Sequence, residues 1–180
     1  MDCINSYAVV AYLAGPIARF VDRLRSELDS GGAHHAHITI LSPREMSSSV
    51  AEAIEFARQQ VAKFEPFQVQ VGEVEAFRDT NVIYLAMSGG ACELTALHDV
   101  LNTGLLEQQE AYDYVPHITL GQQFVAGSLE GLLEESRRRW TDFGPPPPLP
   151  VERVTFVQQR ADSSWEDVAE LGLGRLTTVG

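Results

Sequence analysis

His35-Ala36-His37-Ile38-Thr39-Ile40-Leu41 and Tyr114-Val115-Pro116-His117-Ile118-Thr119-Leu120-Gly121 are two versions of one short text. Both are rich in β-branched residues, which favours extended backbone. On a strand, residues two apart share a face. His37 and Thr39 therefore point one way while Ile38 and Ile40 point the other, and His117 and Thr119 oppose Ile118 and Leu120 in the same manner. Each segment thus offers an apolar face to a core and sets an imidazole and a hydroxyl on the opposite face. The two tripeptides start 80 residues apart.

The surroundings repeat as well. Before the first copy, Ser6 to Leu13 is an apolar run closed by Gly15-Pro16, read as a strand. Phe20, Leu24 and Leu28, with Val21 beside them, mark one face of a helix from Pro16 to Leu28, which Gly31-Gly32 ends. After it, Ser49 and Glu52 have the spacing of a capping box, and Val50, Ile54, Ala57 and Val61 continue as a helix. Phe67, Val69 and Val71 alternate with polar residues, the period of a half-buried strand.

The second half follows the same order. Asn81 to Met87 reads as a strand and Leu94, Leu97, Leu101 and Leu105 as a helical stripe; Pro116 to Gly121 is the second histidine strand. A helix after Ser128 carries Leu129, Leu132, Leu133 and Trp140. Strands follow over Val151–Gln159 and Glu166–Leu171. Gly144 to Pro150 holds four consecutive prolines and must be an extended connector. The order predicts an α+β fold of two β-α-β-α-β lobes, antiparallel or mixed, related by a pseudo-twofold and facing a central cleft. The repeat halves run over about 6–76 and 81–171 within a single bilobal domain of residues 1–180.

The bulk composition narrows the function. The 180 residues carry 13 Lys and Arg against 25 Asp and Glu, a net charge of −12. Duplex nucleic acid is gripped through many Lys/Arg–phosphate contacts, so it is a poor partner here; a small phosphate ester or an RNA end in a local pocket is not excluded. Two distant cysteines, Cys3 and Cys92, form no disulfide framework or CxxC motif. The N-terminal stretch lacks the basic start and long apolar run of a signal peptide, and no segment has the apolar length of a membrane span. We therefore expect a cytoplasmic protein without a membrane partner; the sequence leaves the oligomeric state open and favours a monomer.

Two imidazoles and two hydroxyls across one cleft suit the opening of a cyclic phosphodiester. One neutral histidine takes a proton from the attacking water and one protonated histidine gives a proton to the departing oxygen. Threonine hydroxyls can donate to the phosphoryl oxygens as charge builds there. This inventory requires neither metal nor cofactor. Two alternatives stay open: a zinc site built from His35, His37 and His117 with His34 in reserve, and a nucleotide-binding module that turns nothing over.

The pair HITI and HITL, within HAHITILSP and YVPHITLG, resembles the two-histidine (2H) phosphoesterase superfamily of 2′-5′ RNA ligase-like proteins and 2′,3′-cyclic nucleotide phosphodiesterases. The resemblance implies a bilobal fold around a V-shaped cleft and no metal. It implies His37 and His117 as the acid–base pair, with His117 activating water and His37 protonating the leaving oxygen, roles that swap in the reverse reaction. Thr39 and Thr119 would be phosphate ligands, and the product of opening a nucleotide or RNA-end cyclic phosphate would be a 2′-phosphate. Of the neighbouring residues, Arg44 could reach a phosphate but reads better as a surface arginine. Tyr12, Tyr84 and Phe124 could stack a base but read better as core.

Overall fold

The computed structural model describes residues 3–28, 35–122, 124 and 128–174. Gly31, Gly32 and His34, named above as a helix stop and a reserve zinc ligand, lie outside the described residues. The elements run β1 (Cys3–Tyr12), α1 (Gly15–Leu28), β2 (His37–Arg44), α2 (Val50–Val61), β3 (Phe67–Phe77), β4 (Val82–Gly89), α3 (Ala91–Leu101), a 3₁₀ turn (Gly104–Leu106), β5 (His117–Gly121), α4 (Leu129–Phe143), β6 (Leu149–Val151), β7 (Arg153–Arg160) and β8 (Trp165–Gly172). They build two four-stranded sheets, ordered β2-β1-β7-β8 and β5-β4-β3-β6, and every strand pair is antiparallel. This is the expected α+β architecture.

The sheets match position by position, but they are not the two halves of the sequence. β1 and β4 hold the second place, and β2 and β5 the outer edge. The third place is exchanged: β3, from the first half, joins the second sheet, and β7, from the second half, joins the first. Helices cross over too, α1 lying against β5 and α3 against β2. One large core spans both sheets, running from Val9 and Ile38 through Val71 and Leu85 to Ile118 and Phe156, with a small second cluster of Ala8, Val10 and Val157 under Trp165.

Local chemistry accounts for the element ends. Ser49 caps α2: its hydroxyl accepts from the Glu52 amide, and the Glu52 carboxylate accepts from the Ser49 amide. The Ser128 hydroxyl accepts from the Gly131 amide and opens α4. Gly90 starts α3 with φ of 78°, and a Cβ there would sit 2.6 Å from the Gln68 carbonyl oxygen, so only glycine fits.

Two expectations change in detail. The helix expected through Leu105 stops at Leu101. Asn102 leaves helical geometry, Gly104 takes φ of 55°, and Leu105 ends on the surface, 45% exposed. The proline run is extended as expected, but its end, Leu149–Val151, pairs with β3 as β6. Pro150 is tolerated there because β6 is an outer strand, where a missing N–H breaks no central ladder.

Candidate active site

The alternation in the two histidine strands sets the site. Ile38, Ile40, Ile118 and Leu120 are fully buried, while His37, Thr39, His117 and Thr119 are half-buried on the other face. Each buried aliphatic side chain is worth about 1.5–3 kcal/mol. A one-residue slip would forfeit all four and drive both imidazoles into the core, so the register is firmly specified. The cross-strand pairs repeat in both sheets. Thr39 lies opposite Val10 and His37 opposite Tyr12; Thr119 lies opposite Tyr84 and His117 opposite Ala86.

Both edge strands border one cleft. A cavity of about 870 Å³ is lined by His117, Thr39, Phe77 and the 108–115 loop. A second, of about 320 Å³, is lined by His37, Thr39, Thr119, Tyr12, Arg25 and Trp165. Thr39 belongs to both, so the two cavities adjoin there, with His117 lining the first and His37 and Thr119 lining the second. The strands are also joined directly: Tyr114, on the loop entering β5, donates its hydroxyl to the Thr39 carbonyl at 2.8 Å.

Each imidazole is oriented by the same device. Nδ1 of His37 lies 2.7 Å from the His35 carbonyl, and Nδ1 of His117 lies 2.7 Å from the Val115 carbonyl. A carbonyl only accepts, so Nδ1 carries the proton in both rings, which makes Nε2 the basic nitrogen of each neutral ring. Aromatic rings flank each histidine. Phe77 and Tyr84 stack on one another at 4.1 Å and make T-shaped contacts with His117 at 5.1 and 5.2 Å. Tyr12 stands edge-on to His37 at 6.4 Å, with its hydroxyl fixed to Asp167 at 2.6 Å. Burial pulls the His117 imidazole below its ordinary value, and the Val115 hydrogen bond opposes this only in part, so neutral His117 is favoured.

The other residues weighed in the sequence fall out differently. Arg44 neither faces the cleft nor sits on the surface: it is 4% exposed and bonds Glu110, Asn102, the Leu106 carbonyl and the Ser42 carbonyl. Burial tends to lower its guanidinium, and the Glu110 carboxylate opposes that. For Glu110 itself, burial raises the carboxyl, but hydrogen bonds from Ser42 and His98 and the charges of His98 and Arg44 outweigh it and hold the group below its ordinary value. Tyr84 is buried, as expected for core, and Phe124 packs against the core, whereas Tyr12 is 38% exposed at the cleft. His35, His37 and His117 do not converge as a ligand set, and among the described residues no three metal-binding side chains do. Among the described residues, no helix is long and apolar enough to cross a membrane.

Phe77, Trp165, His98 and Glu110 carried no signal in the sequence. They are single residues of ordinary type, and only the fold brings them to the cleft or behind its wall. Tyr114 was visible only as context for the second histidine strand.

The comparisons agree with this architecture. The model of the 2′-5′ RNA ligase superfamily matches residues 14–163. A "Putative phosphoesterase" of Bacillus cereus (strain B4264) is 29% identical over 140 residues, covering 77% of this chain and 79% of that protein. One of Bacillus thuringiensis (strain Al Hakam) is 30% identical over 141 residues with the same coverage. Among solved structures, E. coli LigT in complex with phosphate superposes with a TM-score of 0.65 at 14% identity, covering 97% of this chain and all of that one. A Thermus thermophilus protein superposes with a TM-score of 0.67 at 14% identity, covering 94% and 98%. At that identity the structures establish the fold, and the family match carries the assignment. With two matched sheets, a shared cleft and a family model spanning most of its length, this chain belongs to the 2′-5′ RNA ligase superfamily of two-histidine phosphoesterases.

Proposed function

We propose that the cleft opens 2′,3′-cyclic phosphodiesters of a nucleotide or an RNA end to 2′-phosphates, without a metal, and forms them in the reverse direction. The carrying observation is the mirrored tautomer: in both rings Nδ1–H is committed to the carbonyl two residues upstream. With that tautomer Nε2 is the basic nitrogen of each ring, one ring on each sheet, suited to handle protons on either side of a phosphorus atom.

On this reading water attacks phosphorus while Nε2 of neutral His117 takes its proton. Protonated His37 gives its Nε2 proton to the departing ribose 3′ oxygen as the P–O3′ bond breaks. The lowered imidazole of His117 suits it to the base role. Thr39 and Thr119 donate hydroxyl hydrogens to the non-bridging oxygens, where charge grows in the transition state. E. coli LigT, which shares the fold, was crystallised with phosphate and with 3′-AMP, a nucleoside monophosphate. The net charge of −12 favours a small ester or an RNA end over a long polyanion.

The test is turnover of 2′,3′-cyclic nucleotides followed by phosphorus NMR. His37→Ala and His117→Ala should each lose roughly 10²–10⁴ in kcat, and kcat/KM should trace a bell against pH. Nucleotide binding without product from the wild-type protein would refute the proposal, as would full activity in either variant.

A further inference from the structure

Resting on that acid–base reading, the geometry points to Tyr114 as a positioning residue that sets the spacing and orientation of the two histidine strands. It reacts with nothing itself. Its hydroxyl holds Thr39 on β2 by the backbone carbonyl at 2.8 Å. Its neighbour Val115 supplies the carbonyl that orients the His117 ring at 2.7 Å. One dipeptide therefore touches both strands, the first by a side chain and the second by a main-chain oxygen.

Tyr114 is held in turn. Its ring lies flat on His98, centroids 4.1 Å apart and planes 4° from parallel. His98 reaches Glu110 through Nε2 and Asp99 through Nδ1, each at 3.0 Å. Glu110 then accepts from Ser42 at 2.9 Å and from Arg44 at 2.7 Å. Ser42 and Arg44 lie on β2, the strand that Tyr114 grips at Thr39. The circuit is closed: β2 holds Glu110, Glu110 holds His98, His98 carries Tyr114, and Tyr114 returns to β2. Such a circuit fixes the loop before β5 relative to β2, and with it the offset of His117 from His37. Burial, then the Glu110 charge, pushes the Tyr114 hydroxyl above its ordinary value, so it remains a donor throughout the working range. A misplacement of about 1 Å at reacting groups can cost on the order of 10²-fold in rate.

The experiment uses Tyr114→Phe, which keeps the ring on His98 and removes only the hydroxyl. On a 2′,3′-cyclic nucleotide, kcat should fall about 10- to 100-fold with KM nearly unchanged. Melting should drop only by roughly 2–4 °C, the effect of one lost hydrogen bond. His98→Gln, which can still bond Glu110 but removes the ring beneath Tyr114, should lower kcat in the same direction. A second readout needs no turnover. In the ligand-free protein, NMR titration should show the His117 midpoint rising towards its ordinary value in Tyr114→Phe, although the lost hydroxyl touches neither imidazole. Wild-type kcat in both variants, or a His117 titration identical to wild type, overturns the inference. An inactive wild-type protein overturns the cyclic phosphodiesterase reading instead, and the titration then decides the positioning role by itself.

Discussion

Replacing Arg44 by Met removes a buried cation of similar length while keeping most of its apolar stem. The guanidinium makes bonds of 2.7–3.0 Å to Glu110, Asn102, the Leu106 carbonyl and the Ser42 carbonyl. Not all of these leave an orphan. The Asn102 oxygen still accepts from the Gln108 amide, and Glu110 keeps Ser42 and His98. The Leu106 carbonyl loses a buried donor, which costs about 1–3 kcal/mol. Glu110, its side chain only 17% exposed, loses its one guanidinium. Breaking a buried pair by removing one partner costs about 3–5 kcal/mol, and the partial compensation places Arg44→Met near the lower end. For a chain of this size that corresponds to roughly 6–12 °C in melting temperature. Urea denaturation at pH 7 measures it, and the double variant with Glu110→Gln should recover part of the loss because no buried charge is then stranded. A cost below about 1 kcal/mol, or a double variant no better than additive, would refute the buried-pair account.

Three further outcomes follow from the same structure. Burial depresses the His117 imidazole, so the unfolded chain binds that proton more readily; its contribution to stability is complete above pH 6.5 and is lost as pH falls through the lower folded value. His117→Gln should therefore lose less stability than wild type between about pH 7.5 and 5 in urea titrations, and parallel profiles would contradict the assignment. Gly90→Ala should destabilise by at least about 2 kcal/mol, since it adds left-handed strain to a Cβ placed 2.6 Å from the Gln68 oxygen. A midpoint equal to wild type would show that α3 starts in another geometry. Ser49→Ala should cost about 1 kcal/mol through loss of the α2 capping box, read as a shift in urea midpoint at constant slope.

What the sequence determined is what local chemistry controls. Strand periodicity told which face of His37-Ile38-Thr39-Ile40 and of His117-Ile118-Thr119-Leu120 is apolar, and those apolar residues are fully buried. The Ser49 and Glu52 spacing told where α2 begins. The repeated element order told that two similar sheets would form, because each repeat must bury a face that it cannot bury alone. Tertiary structure decided everything that depends on which distant segments meet. No local pattern distinguishes β3 and β7 joining the opposite sheets from both staying at home, since the apolar alternation is satisfied either way. Arg44 reads as a surface residue because its partners arrive from positions 102 to 110, and only their convergence makes its burial tolerable. The tautomers of His37 and His117 were half-legible: the carbonyl two residues upstream is local, but the turn of each ring towards it was settled by packing. Tyr114 lies three residues before His117 in the chain, yet its hydroxyl meets Thr39, 75 residues away, because folding lays β2 beside β5.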